Sequence, residues 1–258
     1  MKYLAFDLEI AKILPGDGII NWRTQRPLGI TCAATCDNEG NTRVWYGGQA
    51  EGSYAPEMSA SESRALLDYL WACQIGKLTG GVIGDTCSVV TWNGASFDFD
   101  ILGEAAEDPW TAARLAANHV DLMVAFTCVK GFRMSLKAAA TACDTHKGAA
   151  GIESGIDAPV LWANGEYERA LAYVIQDARA TAEVMAYVLA HRGYTWVSKR
   201  GYDQTWHLPS GVSDITELTV EKCLNWPKPN TSWMSSPPDR GEFLAWTKEW
   251  FGGFDDKI

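Results

Sequence analysis

No two cysteines of this chain form a CxxC pair, and the seven present (Cys32, Cys36, Cys73, Cys87, Cys128, Cys143 and Cys223) are scattered and odd in number. This argues against a paired-cysteine zinc motif and against a disulfide framework; reduced, packed thiols in a cytoplasmic protein are expected. Histidine is scarce. His119, His146, His191 and His207 show no metal-ligand spacing, and no catalytic part is expected of them. No apolar run is long enough to cross a bilayer. The opening MKYLAFDLEI enters a strand pattern that carries Asp and Glu, unlike a secretion signal, and no membrane partner is expected. Net positive charge is also missing: 22 Lys and Arg stand against 32 Asp and Glu, a formal charge of −10. That argues against coating duplex DNA through a broad basic face. It leaves room for a protein that holds a short single strand, because bound divalent cations offset acidity where phosphate must approach.

What is present reads as an ordinary globular chain, 47% hydrophobic and 21% charged over 258 residues, enough for one large domain or a domain with an extension. Residues 2–10 form a strand pattern, followed by a long polar loop at 11–28. Residues 29–36 and 42–46 flank the turn DNEG and predict a hairpin. Ser59 and Glu62 make a capping box ahead of the amphipathic SRALLDYLWACQI. CSVVTW, residues 87–92, is a short buried strand running into NGASFDFDIL, whose later half opens a helix. Residues 110–118 are helical, HVDLMVAF is a strand or short extended segment, and Ser135 caps the helix LKAAATAC. A glycine-rich loop at 144–156 precedes the clearest helix, 166–190, where Leu171, Val174, Ala178, Ala182, Met185 and Leu189 recur at spacings of three and four. His191 and Arg192 suit its negative end, and Gly193 suits its stop. The order of elements gives an α/β protein, a mixed sheet with helices packed against it. Residues 193–258 differ in character. They form an irregular, Trp- and Pro-rich extension expected to pack its aromatics on the main domain, residues 1–192.

Carboxylates in apolar surroundings carry the chemistry. Alternate strand residues face opposite ways, so Leu4, Phe6, Leu8 and Ile10 line one side of the first strand while Asp7 and Glu9 share the other. Two neighbouring carboxylates repel and are costly to desolvate, so a positive group is expected beside them. Asp98 follows the strand 87–92 and enters a helix. Tyr173 and Asp177 stand four apart on one face of the long helix, with Asp177 at the edge of its apolar stripe. Each has an ordinary structural explanation alone; their joint occurrence in this order points to one site.

FDLE, WNGASFD and YVIQD resemble the three motifs of the DEDD superfamily of 3′–5′ exonucleases, in the subgroup with tyrosine in the third motif (DEDDy). The N-x-x-x-F-D form of the second is similar to the proofreading exonuclease domain of family-B DNA polymerases, and MSLKAAATACDTHKG resembles the helix and loop before the third motif. The histidine subgroup would need His where Ala172 stands. The resemblance covers roughly residues 1–192, and no polymerase domain is expected to follow. It implies a ribonuclease-H-like fold, a five-stranded mixed sheet flanked by helices. The implied activity is metal-dependent hydrolysis from the 3′ end of single-stranded DNA or RNA, DNA favoured, releasing 5′-mononucleotides. It further implies two Mg²⁺ or Mn²⁺ ions held by Asp7, Glu9, Asp98 and Asp177. Asp7 would bridge both ions, Glu9 and Asp177 would complete the site of the water-activating one, and Asp98 would support the second. Tyr173 would orient the attacking water, which makes Asp7, Glu9, Asp98, Tyr173 and Asp177 the expected catalytic set.

Asn93 and Phe97 are expected to shape the pocket of the terminal nucleotide, and Ile10 and Ala11 to pack against its sugar and base. Asp100 should point elsewhere. Lys130, Arg133, Lys137 and Lys147 form a basic cluster suited to tracking phosphates, and Trp22, Arg23 and Arg26 are suited to gripping a single strand. Competing readings are a ribonuclease-H-like endonuclease and a non-catalytic nucleic-acid-binding module of the same fold. A third is a structural partner in a replication or repair complex that docks through the C-terminal extension.

Overall fold

The computed structural model describes residues 2–15, 21–76, 87–145 and 155–251. The first strand, β1 (Tyr3–Ile10), alternates as its sequence requires. Leu4, Phe6, Leu8 and Ile10 enter one apolar cluster, and Tyr3 and Ala5 enter another on the opposite face. β2 (Ile30–Asp37) and β3 (Thr42–Tyr46) form the expected antiparallel hairpin. Its turn closes because Asp37 Oδ1 accepts the N–H groups of Glu39 and Asn41, each at 2.9 Å. α1 (Ala60–Ile75) starts at the Ser59–Glu62 capping box and buries Leu66, Leu67 and Leu70 beneath the sheet.

β4 (Ser88–Thr91) lies parallel to β1. It is followed by α2 (Asp98–Ala105), α3 (Pro109–Asn118) and β5 (Val120–Asp121), which lies parallel to β4. The sheet order is β3-β2-β1-β4-β5, the mixed five-stranded arrangement expected, with β1 at its centre. HVDLMVAF is not the extended segment expected. Only Val120 and Asp121 are strand, and α4 (Leu122–Lys130) begins at once because Asp121 caps it, accepting the N–H groups of Met123 and Val124.

α5 (Leu136–Ala142) is capped by Ser135 as expected, and α6 (Ala158–Ala163) leads into α7 (Tyr167–His191). α7 lays Leu171, Val174, Ala178, Ala182 and Met185 into the cluster shared with Tyr3 and Ala5, on the side opposite α1. Its stop differs from the expectation. Arg192, at φ 62°, takes the left-handed position and returns its N–H to the Val188 carbonyl. Gly193 instead opens a strand, where an added Cβ would stand 1.9 Å from the Trp206 carbonyl oxygen.

That strand, β6 (Gly193–Val197), pairs antiparallel with β7 (Asp203–His207), so the extension is less irregular than its composition implies. Trp206 and Tyr194 are buried against Phe126 of α4, at ring separations of 5.7 and 6.1 Å. Further on, Thr219 bridges to Val120 and the Val220 N–H reaches the His119 carbonyl at 3.0 Å, covering the open edge of β5. α8 (Val220–Leu224) follows. All seven cysteines are free, and Cys87 alone of them is not fully buried. No helix among the described residues is long and apolar enough to cross a membrane.

Candidate active site

β1 presents Asp7 and Glu9 on the face that α7 crosses. One carboxylate oxygen from each of Asp7, Glu9 and Asp177 lies within 4.8 Å of the other two. Glu9 and Asp177 are buried and Asp7 is partly exposed. Three negative groups this close repel strongly away from bulk water. An all-carboxylate, all-oxygen donor set suits a hard divalent cation such as Mg²⁺ or Mn²⁺. The residues fit such ions.

Asp98 stands apart from that group. β4 pairs with β1 opposite Tyr3, Leu4 and Ala5. Farther along β1, Asp98 Oδ1 accepts the Leu8 N–H at 3.2 Å. The carboxylate is buried at the start of α2 and borders the same cleft as the other three. Burial, then the charge of Asp121, push its pKa up to about 7. Tyr173 lies one helical turn before Asp177 and is fully buried. Burial first, then the charges of Asp177, Glu9 and Asp7 and a hydrogen bond with Asp177, push the phenol far above its usual range. It therefore stays protonated.

Two clefts meet at the carboxylates. One, about 420 Å³, is bordered by Ile10, Trp22, Asn93, Phe97 and Tyr173. The other, about 310 Å³, is bordered by Arg133, Met134, Ser135 and Leu136; Asp7, Trp92, Asn93 and Asp177 border both. Two larger clefts, about 750 and 850 Å³, are bordered by none of the three clustered acids. Ala11 borders the first of these, because its N–H turns to the Leu28 and Gly29 carbonyls. The structure thus brings Ile10, Asn93 and Phe97 to the carboxylates and Ala11 to a neighbouring surface.

The basic residues singled out in the sequence divide similarly. Asp100 is buried and turned aside, as expected, held by Arg26 at 2.6 Å and Arg23 at 3.7 Å. Arg23 and Arg26 also cover the Trp22 ring, whose edge meets Phe97 at 5.0 Å. The loop charges thus brace an aromatic wall. Lys130 donates to the Thr205 carbonyl and lies over Trp196, and Lys137 is exposed on α5. Lys147 and His146 lie outside the described residues, as does most of the glycine-rich loop 144–156.

Sequence reasoning missed Asp121. Its Oδ1 accepts from Asn93, Met123 and Val124, and its Oδ2 from Ala95, at 3.0–3.1 Å. One carboxylate thus caps α4 and ties down the turn that delivers Asn93 and Asp98. Burial pushes its pKa up while the four N–H groups pull it down, with burial the larger. The signal available was an Asp placed just before an apolar run. Beside it, fully buried His119 faces the Leu115 and Ala116 carbonyls with Nδ1, so Nδ1 carries the proton and Nε2 accepts from Thr91 Oγ1 at 2.9 Å. Thr91 Oγ1 in turn accepts the Gly94 N–H. Burial holds the imidazole pKa down, to about 3, so His119 is a neutral brace for the same turn.

A mixed sheet with its central strand carrying acids, closed by one long helix, defines the class. Residues 61–189 match the family model of the RNase H superfamily, and the chain belongs to that superfamily. The match spans Asp98, Tyr173 and Asp177 and begins after Asp7 and Glu9. Among solved structures, the chain is similar to the family B DNA polymerase from the hyperthermophilic archaeon Pyrobaculum calidifontis, with a TM-score of 0.50 and 16% identity over 73% of this chain and 24% of that one. At that identity the likeness is one of fold, and this chain spans about a quarter of the polymerase's length. No curated protein matches.

Proposed function

We propose that the chain is a metal-dependent 3′–5′ exonuclease of the tyrosine subgroup that shortens single-stranded nucleic acid, DNA in preference, and releases 5′-mononucleotides. The observation that carries this reading is the convergence of Asp7, Glu9 and Asp177 beside Tyr173, at the junction of two clefts. Membership of the RNase H superfamily supports a nuclease, and the three motifs and the likeness of fold to a family B DNA polymerase favour this kind. Asp7, Glu9 and Asp177 would hold two Mg²⁺ or Mn²⁺ ions, with Asp98 supporting the second through its oxygen not bonded to Leu8. Ions bound there neutralise the phosphate and supply the Lewis acidity that makes water a nucleophile at neutral pH.

The remaining work falls to side chains. The Tyr173 phenol keeps its proton and is no general base. With its proton directed to Asp177, its oxygen accepts a hydrogen bond from the attacking water and fixes that water's lone pair toward phosphorus. The wall of Phe97 and Trp22 would take the face of the terminal sugar or base, with Ile10 bordering the same cleft. Asn93, at φ 77°, borders both clefts and would stand beside the scissile phosphate.

The test is digestion of a 3′-labelled linear single strand and a circular one with Mg²⁺, Mn²⁺ or chelator. Mononucleotides should leave the linear substrate alone, and only with metal; cutting of the circle would transfer the assignment to an endonuclease. Tyr173→Phe should slow turnover roughly 10- to 100-fold through lost water orientation, with metal affinity unchanged by calorimetry. Equal rates would strip the phenol of its role.

A further inference from the structure

A strand cut at the carboxylates leaves one nucleotide on one side and the remaining chain on the other. The cleft walled by Phe97 and Trp22 takes the first. On the exonuclease reading, the 310 Å³ cleft, which shares Asp7, Trp92, Asn93 and Asp177 with it, is left for the upstream strand. Approach along it is electrostatically adverse, since Asp7 and Asp177 border it and the chain carries a charge of −10. Among the described residues bordering it, one is a cation, Arg133, whose side chain is 42% exposed. We propose that Arg133 holds a phosphate of the upstream strand and that the C-terminal extension is the part of the protein that aims it. This rests on the exonuclease reading above for the direction of the strand.

The aiming is visible in the loop 131–135 between α4 and α5. Its inner side is tied to the residue just after β4, because Trp92 Nε1 donates to the Met134 carbonyl at 3.1 Å. Its outer side is covered by the extension at three successive residues. Gly131 sits in the left-handed conformation, and an added Cβ there would stand 2.4 Å from Thr231 Cγ2. Phe132 meets the Trp233 ring at 6.2 Å, edge to face. The Arg133 guanidinium lies 5.0 Å from the centre of the buried Phe243 ring, and its Nη2 reaches Glu242 Oε2 at 3.3 Å. Stacking on a ring fixes the plane of a guanidinium and leaves its N–H edges free, and Glu242 engages one of five donors. An exposed ion pair by itself would contribute little stability. An arginine stacked on a buried ring, with donors to spare beside clustered acids, is instead suited to a bidentate phosphate contact.

The deciding measurement is binding of a fluorescein-labelled oligothymidylate in Ca²⁺, read by anisotropy across a salt series. Arg133→Gln should weaken binding roughly tenfold, as expected for one lost charge-assisted contact. It should also lower the slope of log K against log salt by about 0.7, one phosphate on a single strand. Glu242→Gln keeps the arginine and should preserve that slope. The p-nitrophenyl ester of thymidine 5′-monophosphate has no upstream strand, so with Mg²⁺ the Arg133→Gln variant should hydrolyse it at the wild-type rate. On an oligonucleotide the same variant should show raised KM and little change in kcat. Unchanged affinity and salt slope, or an equal rate loss on both substrates, would overturn the proposal. If the wild-type protein binds the oligonucleotide and hydrolyses neither substrate, the exonuclease reading fails while the binding result still decides the role of Arg133.

Discussion

Asp7→Ala should abolish metal-dependent nucleotide release, with turnover reduced about 10³-fold or more, the scale on which loss of transition-state charge stabilisation is felt. The same change should leave the metal-free protein at least as stable as wild type. One carboxylate oxygen from each of Asp7, Glu9 and Asp177 lies within 4.8 Å of the other two, and deleting one of these acids relieves part of their mutual repulsion in chelator. Thermal melts separate a ligand-binding residue from a structural one. The wild-type melting temperature should climb as Mg²⁺ is added, by linkage between folding and binding, and that of Asp7→Ala should respond far less. Normal turnover would remove the core of the assignment. A marked loss of stability in chelator would instead make Asp7 part of the scaffold.

Asp121→Asn should be the most damaging isosteric change away from the clustered acids. All four hydrogen bonds of Asp121 come from backbone N–H donors, three at Oδ1 and one at Oδ2. However the amide is turned, its NH₂ opposes at least one of them in a fully buried site. The expected cost is about 3 kcal/mol, from a donor left unsatisfied and charge-assisted bonds weakened. In a protein of this size that lowers the melting temperature by about 10 °C. The loss should exceed stability alone, since the turn that Asp121 holds delivers Asn93 and Asp98. At temperatures where the variant remains folded its turnover should still be depressed, and its Asn93 and Ala95 amides should exchange with solvent faster. A melting point within about 2 °C of wild type would show that the four bonds contribute little.

What could be read from residues alone follows the range of the interactions involved. The Ser59–Glu62 box, the DNEG turn, the Ser135 cap and the stripe of α7 are local patterns, and each element formed where expected. HVDLMVAF failed because a short apolar run suits strand and buried helix equally. The cap that decided it also serves the turn at 93–95, which sequence cannot display. The hairpin β6–β7 was legible in its alternating aromatic and β-branched residues around Lys199–Gly201, but a tract rich in Trp and Pro hid it. At the candidate site, the pairing of Asp7 with Glu9 and of Tyr173 with Asp177 followed from strand and helix periods. The set-back of Asp98 did not, because it depends on which edge of β1 offers a free N–H. Arg23 and Arg26, marked for a strand of nucleic acid, are drawn to Asp100, a partner visible only in three dimensions.

The distance along the chain between β1 and α7 bears on synthesis. Asp7 and Glu9 emerge from the ribosome before Asp177, which follows all five strands of the mixed sheet. A stalled or prematurely terminated product would carry two acids and lack the helix that completes their cage.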